Sequence, residues 1–256
     1  RRWMGIAFAG LAGLLAASCG GEQERTLTKV FTGPPWNQSE EYEYRLLAER
    51  GEPYGRCILE TELDAEPGMT RLNLLCDDEP GPHRDDGTAL VDSRTLRPVS
   101  SSRVRTNAED NDRFSVSSIY EPPELVRYES NDNGRIRSTT RELPRPTEKS
   151  PDPGYYDDVS LLWLVRGMEL REGYEATFQN IAANTGQTFP VDVVVVGRET
   201  IRVPAGEFSA WRIRIRTSSV IQFAWVDSEA PHILVKAQVR GLQDVTYELV
   251  TPPQPN

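Results

Sequence analysis

The chain has 256 residues, with 19 glycines, 19 prolines and a formal net charge of −10. A surface this acidic argues against nucleic acid and against docking on anionic headgroups. No apolar run reaches the roughly eighteen residues of a membrane-spanning helix, and the length suits one large β-rich domain with tails.

The chain begins RRWMGIAFAGLAGLLAASCGG. Arg1 and Arg2 give a basic start, Trp3 to Leu15 a short apolar run, and Ala16-Ala17-Ser18 the small residues a signal peptidase accepts. Cys19 follows. This resembles a bacterial lipoprotein signal, although Leu15 lies one position earlier than the pattern prefers. The resemblance implies cleavage of residues 1–18 and lipidation of Cys19. With Gly20 next, it also implies sorting to an outer membrane, facing the periplasm, if the organism has one. An ordinary secretory signal containing a cysteine is the alternative. Loss of residues 1–18 removes Arg1 and Arg2 and no acid, so the charge falls from −10 to −12.

Residues 19–40 lack sustained periodicity, contain a Gly-Pro-Pro break and read as a flexible tether. The domain is expected over 41–250 and a frayed tail over 251–256. The strands begin with EYEYRLLAE, RCILETEL and TRLNLLC, the last two flanking a turn at Asp64–Met69. That turn would bring Cys57 and Cys76 together on neighbouring strands. In an oxidising compartment a disulfide would contribute about 3 kcal/mol in the chain-entropy model; two free buried thiols are the alternative. GTALVD, TLRPVSSSRVR, RFSVSSIYE, ELVRYES and GRIRSTTREL follow. Asn133-Gly134 marks a tight hairpin between the last two.

After a proline-rich crossover at 142–156 the period changes. Leu161, Leu164, Val165 and Met168 fall at i, i+3, i+4 and i+7, which predicts a helix over about 157–170. Asp157 and Asp158 suit its start and Gly173 its exit. Strands then return: YEATFQNI, FPVDVVVVG, TIRVPAG, EFSAWRIRIRT, SVIQFAWVD, HILVKAQVRG and QDVTYELV. Trp211, Ile213 and Ile215 alternate with Arg212, Arg214 and Arg216, giving one apolar and one wet face.

The stretch G-x-E-x-I-x-V-P-A-G-x-F-x-A-W (Gly197–Trp211), followed by Trp225, Asp227, Pro231 and Val235-Lys236, is similar to the envelope family known as domain of unknown function 3108. The resemblance covers about 41–250. It implies a mainly β, α+β fold: a curved antiparallel sheet wrapped around one central helix, a half-barrel like that of the LolA/LolB lipoprotein carrier and receptor. It transfers no catalytic residue.

His83 and His232 are the only histidines, and neither accompanies a nucleophile motif or a metal-ligand cluster. The acidic pairs Asp77-Asp78 and Asp85-Asp86, and the stretch 109–112, lack the spacing of a calcium loop. The reading is therefore non-enzymatic, with no catalytic residue, metal or cofactor. Trp163, Phe208, Trp211, Ile213, Phe223 and Trp225 are candidates to line an apolar groove for a lipid or acyl chain; the plainer reading makes them core. The alternative function is an assembly factor that binds another envelope protein through its rim. A monomer is expected, attached to the membrane by its lipid and without nucleic acid.

Overall fold

The computed structural model describes residues 25–78, 81–182, 186–217, 220–240 and 244–251. The signal and Cys19 lie outside the described residues. The strands are β1 (Glu40–Leu47), β2 (Pro53–Glu66), β3 (Met69–Asp77), β4 (His83–Asp92), β5 (Pro98–Asn107), β6 (Asp112–Glu121), β7 (Leu125–Asp132), β8 (Arg135–Glu142) and β9 (Tyr155–Asp157). The short helix α1 (Leu161–Leu164) follows. Then come β10 (Glu175–Ile181), β11 (Thr188–Val203), β12 (Gly206–Arg216), β13 (Ile221–Asp227), β14 (Leu234–Arg240) and β15 (Val245–Leu249).

All fifteen strands join one curved, non-closed sheet ordered β8-β7-β6-β5-β4-β3-β2-β1-β15-β14-β13-β12-β11-β10-β9. Each half is a meander, because short turns pair consecutive strands. The halves join where β1 pairs with β15, Tyr44 opposite Leu249. Bulges bend the long strands, as at Val195/Gly197 on β11 and Trp225/Val226 on β13. Alternation sets the faces: on β3, Thr70, Leu72, Leu74 and Cys76 are buried and the residues between them half-buried. Cys57 and Cys76 oppose one another across β2 and β3, with Cα atoms 4.1 Å apart, and form a disulfide. Among the described residues the edge strands β8 and β9 are not hydrogen-bonded to each other. They approach through a small apolar cluster of Tyr120, Val126, Leu143, Tyr155 and Ile181.

Two expectations need correction. The helix predicted over 157–170 is a single turn, Leu161–Leu164. Residues 155–157 instead pair in parallel with β10, Tyr155 opposite Gln179. Nearly every residue from 153 to 168 is buried. A segment covered on all sides has no wet face to favour a long amphipathic helix, and the sheet offers it hydrogen-bonding partners. Tight turns close the rest, with Trp163 N–H donating to Ser160 O and Gly167 N–H to Leu164 O.

Nor is the stretch up to residue 40 a free tether in its described part. Val30, Phe31 and Trp36 are buried. The Val30 and Phe31 amides both donate to Tyr156 Oη at 3.1 Å, and Thr32 N–H donates to Gly167 O at 2.8 Å. Burial of these large apolar groups offsets the entropy of ordering an aperiodic segment. The cradle is therefore filled by two irregular segments rather than a central helix. At the other end, Thr251 is held by the Glu43 amide, which donates to its hydroxyl at 3.1 Å.

Candidate functional site

The six groove candidates do not converge on one surface. Trp163 is buried in the cradle and its indole N–H donates to Thr61 Oγ1 at 2.8 Å. Ile213 lies on the concave face, opposite Ala224, and Trp211 shares its side of β12. Phe208, two residues before Ala210 and four before Arg212, has the opposite parity. Cross-strand register puts Trp225 opposite Arg212 and Phe223 opposite Arg214, and directly opposed residues share a face. Phe223 and Trp225 therefore stand with the arginines on the convex side. The grouping from sequence fails there because period two orders residues within a strand but not the register of its neighbour.

On that convex side, the stretch that carried the resemblance forms a packing lock. The Arg212 guanidinium lies 4.6 Å from the Phe223 ring centre and 5.8 Å from that of Trp225. Trp225 Nε1–H donates to Glu199 Oε1 at 2.5 Å, and Lys236 lies 5.8 Å over the same ring. Trp225 is thereby only 7% exposed. Lys236 and Arg45 both reach Glu248, at 2.9 and 2.7 Å. Burial alone would raise the Glu248 carboxyl, but these two cations hold it below its ordinary value. The tip of the β11–β12 hairpin folds back, Ala205 N–H donating to Leu249 O at 3.1 Å.

The concave face changes character along the sheet. Across β1–β4 it is apolar, with Tyr44, Cys57, Leu59, Leu72, Leu74 and Ala89 buried. Across β5–β7 it is polar. Arg103 donates to both oxygens of Asp85 at 2.7 Å, a bidentate pair. Burial would lower the Arg103 guanidinium, but Asp85 raises it above its usual value. The Arg105 guanidinium lies 4.8 Å from the Phe114 ring centre. Ser118 and Tyr128 oppose one another on β6 and β7; both are buried, and among the described residues neither hydroxyl has a hydrogen-bond partner.

Asp157 stands at the entrance to α1. Its Oδ1 accepts from the Val159 and Ser160 amides at 3.0 Å each, and its Oδ2 accepts from the Tyr120 hydroxyl at 3.2 Å. Burial first, and the neighbouring Asp158 charge second, push its carboxyl up to about 6. A buried acid tuned towards neutrality is a feature of acid–base sites. Here both oxygens are engaged in local structure.

Sequence reasoning missed Arg166, which it placed inside a helix. Arg166 is buried and pairs with Glu40 on β1. It donates through Nε to His232 O at 2.9 Å, and its guanidinium lies 5.1 Å from the Trp36 ring centre. A lone arginine between apolar residues, in a segment greasy on all sides, was the available signal.

The histidines and acidic loops serve local structure. Asp78 accepts from the His83 amide at 2.6 Å and contacts its Nδ1 at 2.7 Å. His232 Nδ1 lies 3.0 Å from Asp227 O. Asp86 pairs with Arg84 at 2.7 Å, and Asp110 Oδ2 accepts from the Asn107 side-chain Nδ2 at 2.7 Å. Among the described residues no group of three or more His, Cys, Asp or Glu is arranged to hold a metal.

A β-barrel-like DUF1849 protein from Brucella abortus shares the fold, with a TM-score of 0.52, 12% identity, 87% of this chain and 98% of that chain covered. An inferred exported protein with a YmcC-like fold from Bacteroides fragilis aligns at a TM-score of 0.33 and 11% identity, covering 88% and 100%. An inferred lipoprotein from Parabacteroides distasonis aligns at 0.30 and 10%, covering 87% and 98%. These last two likenesses are too distant to carry an argument. No curated protein sequence matches. The family described as Protein of unknown function (DUF3108) matches residues 81–250, from just before β4 to the end of β15. That match spans more than half of the chain, and the chain belongs to this family.

Proposed function

We propose that the chain is a non-enzymatic, exported lipoprotein of the cell envelope, tethered through lipidated Cys19, that engages another envelope protein through the rim of its barrel-like sheet. The observation that carries this reading is the filled cradle. Phe31, Trp36, Trp163, Leu164 and Met168 are buried where an acyl chain would have to lie. The rim remains open. Among the described residues β8 is hydrogen-bonded to β7 alone; nearly all its residues are exposed, and Ile136 is 63% exposed. An open edge strand can extend its sheet with an incoming strand.

A second reading, an amphipathic ligand on the concave face, is favoured by Ser118 and Tyr128. Buried hydroxyls without partners cost about 1–3 kcal/mol each, and a bound polar group would supply the missing hydrogen bonds.

Two experiments test these readings. Cys19→Ala should move the protein from the membrane pellet to the soluble fraction, and unchanged partition rejects the anchor. A photocrosslinker at Ile136 should give a discrete protein adduct in intact membranes, while one at the exposed Ile119 on β6 should not. Identical patterns from both positions reject the rim. A stoichiometric lipid in native mass spectra of the purified protein would favour the concave-face ligand instead.

A further inference from the structure

We infer that the convex face of β10–β13 docks on anionic lipid headgroups and so sets how the anchored domain lies on its membrane. This rests on the lipidation of Cys19 proposed above. The first described residue, Arg25, has its guanidinium 3.5 Å from Asp192 Oδ1 on β11, and Thr28 N–H donates to Thr177 O on β10 at 2.6 Å. The chain leaves the domain beside a polar cleft of roughly 530 Å³, lined by Thr26, Thr28, Thr177, Asp192, Arg214 and Arg216 among others. Six residue steps separate Cys19 from Arg25, a reach of at most about 20 Å. Whatever lipid Cys19 carries, the bilayer surface lies within that distance of the cleft.

The chemistry of the face suits such a surface. Arg214 and Arg216 are exposed. They stand opposite Phe223 and Ile221 across β12–β13, and Ile221 is 43% exposed. Guanidinium heads beside the exposed Ile221 and the half-buried Phe223 match the polar and apolar layers of a membrane interface. The acids in the cleft do not cancel this. Asp192 is engaged by Arg216 at 3.2 Å, Thr177 at 2.9 Å and Arg25 at 3.5 Å. Glu175 is exposed at the rim. Arg214 makes no ion pair among the described residues. The charge of −12 left after loss of residues 1–18, from −10 by removal of Arg1 and Arg2, does not forbid contact. At physiological salt the Debye length is about 8 Å, so the near face decides. The tether raises the local concentration of headgroups, so a weak face suffices.

The test is arginine labelling by phenylglyoxal, read by mass spectrometry on the acylated protein in phosphatidylcholine vesicles with or without phosphatidylglycerol. On the anionic vesicles, labelling of Arg214 and Arg216 should slow by about fivefold, the size of one arginine's attraction to an anionic leaflet. The protection should vanish at about 1 M salt. Arg135 and Arg137 on β8 should label equally on both. Arg214→Gln/Arg216→Gln should stay membrane-bound yet lose the lipid-dependent protection of Arg25. Equal labelling on both vesicles, uniform protection of all arginines, or retained Arg25 protection in the double variant would overturn the docking face. Unchanged membrane partition of Cys19→Ala would reject the anchor, whereas equal labelling of the acylated, vesicle-bound protein on both lipids would reject the face. The two failures are thus distinguishable.

Discussion

Asp157 is surrounded by three donors: the Val159 and Ser160 amides and the Tyr120 hydroxyl. Its carboxyl is raised from 3.8 to about 6, chiefly by burial. The folded state therefore holds its proton more tightly than the unfolded chain does. That stabilisation is complete below about pH 4 and is lost as pH rises through 6, a swing of up to about 3 kcal/mol. Asp157→Asn keeps an acceptor for the two amides and removes the titration. Its stability relative to the parent should rise between pH 4.5 and pH 7.5, checked by urea unfolding at both pH values. A constant difference would refute the assignment. Asp157 was legible as an acid near the start of a helical pattern, because its amide contacts are within three residues. Its burial and its bond to Tyr120, 37 residues away, were not.

The element that departs most from expectation is the stretch from β9 through α1 to Met168. Its i, i+3, i+4 pattern arises from burial on every side. Gly167 shows how tightly it is held: a Cβ there would collide with the Phe31 ring. Gly167→Ala should therefore displace the N-terminal segment and cost about 1–3 kcal/mol, a typical overpacking cost. The check is denaturant unfolding together with the loss of Phe31 and Trp36 burial, followed by proteolysis of the N-terminal segment. An unchanged midpoint would show that the segment is not wedged between these elements. The strands fared better because period-two alternation and turn chemistry are local. Asn133 and Gly134 adopt φ of 50° and 89°, as a tight hairpin turn needs. From sequence the long hairpin β11–β12 reads as three pieces because Gly197 and the Pro204 turn look alike; only the second reverses the chain.

Across the whole molecule, Arg166 ties the filling to both halves, pairing with Glu40 on β1 and donating to the His232 carbonyl between β13 and β14. Arg166→Met should cost about 3–5 kcal/mol, because the largely enclosed Glu40 carboxylate would lose its counter-charge and keep only the Tyr42 and Thr61 hydroxyls. Adding Glu40→Gln should restore part of that loss, as a double-mutant cycle in urea would show; no recovery would mean the arginine acts by packing alone. By itself the sequence determined all the strands but β9, most of the turns, the alternating faces of β12, and the placement of both cysteines on neighbouring strands. These follow from side-chain periodicity and from turn residues a few positions apart. Only the tertiary structure decided that β1 closes on β15, that Trp225 sits with Arg212, and that Val30, Phe31 and Trp36 fill the cradle. Backbone hydrogen bonds are chemically alike in every register, so the choice among partners falls to packing between residues distant in the chain.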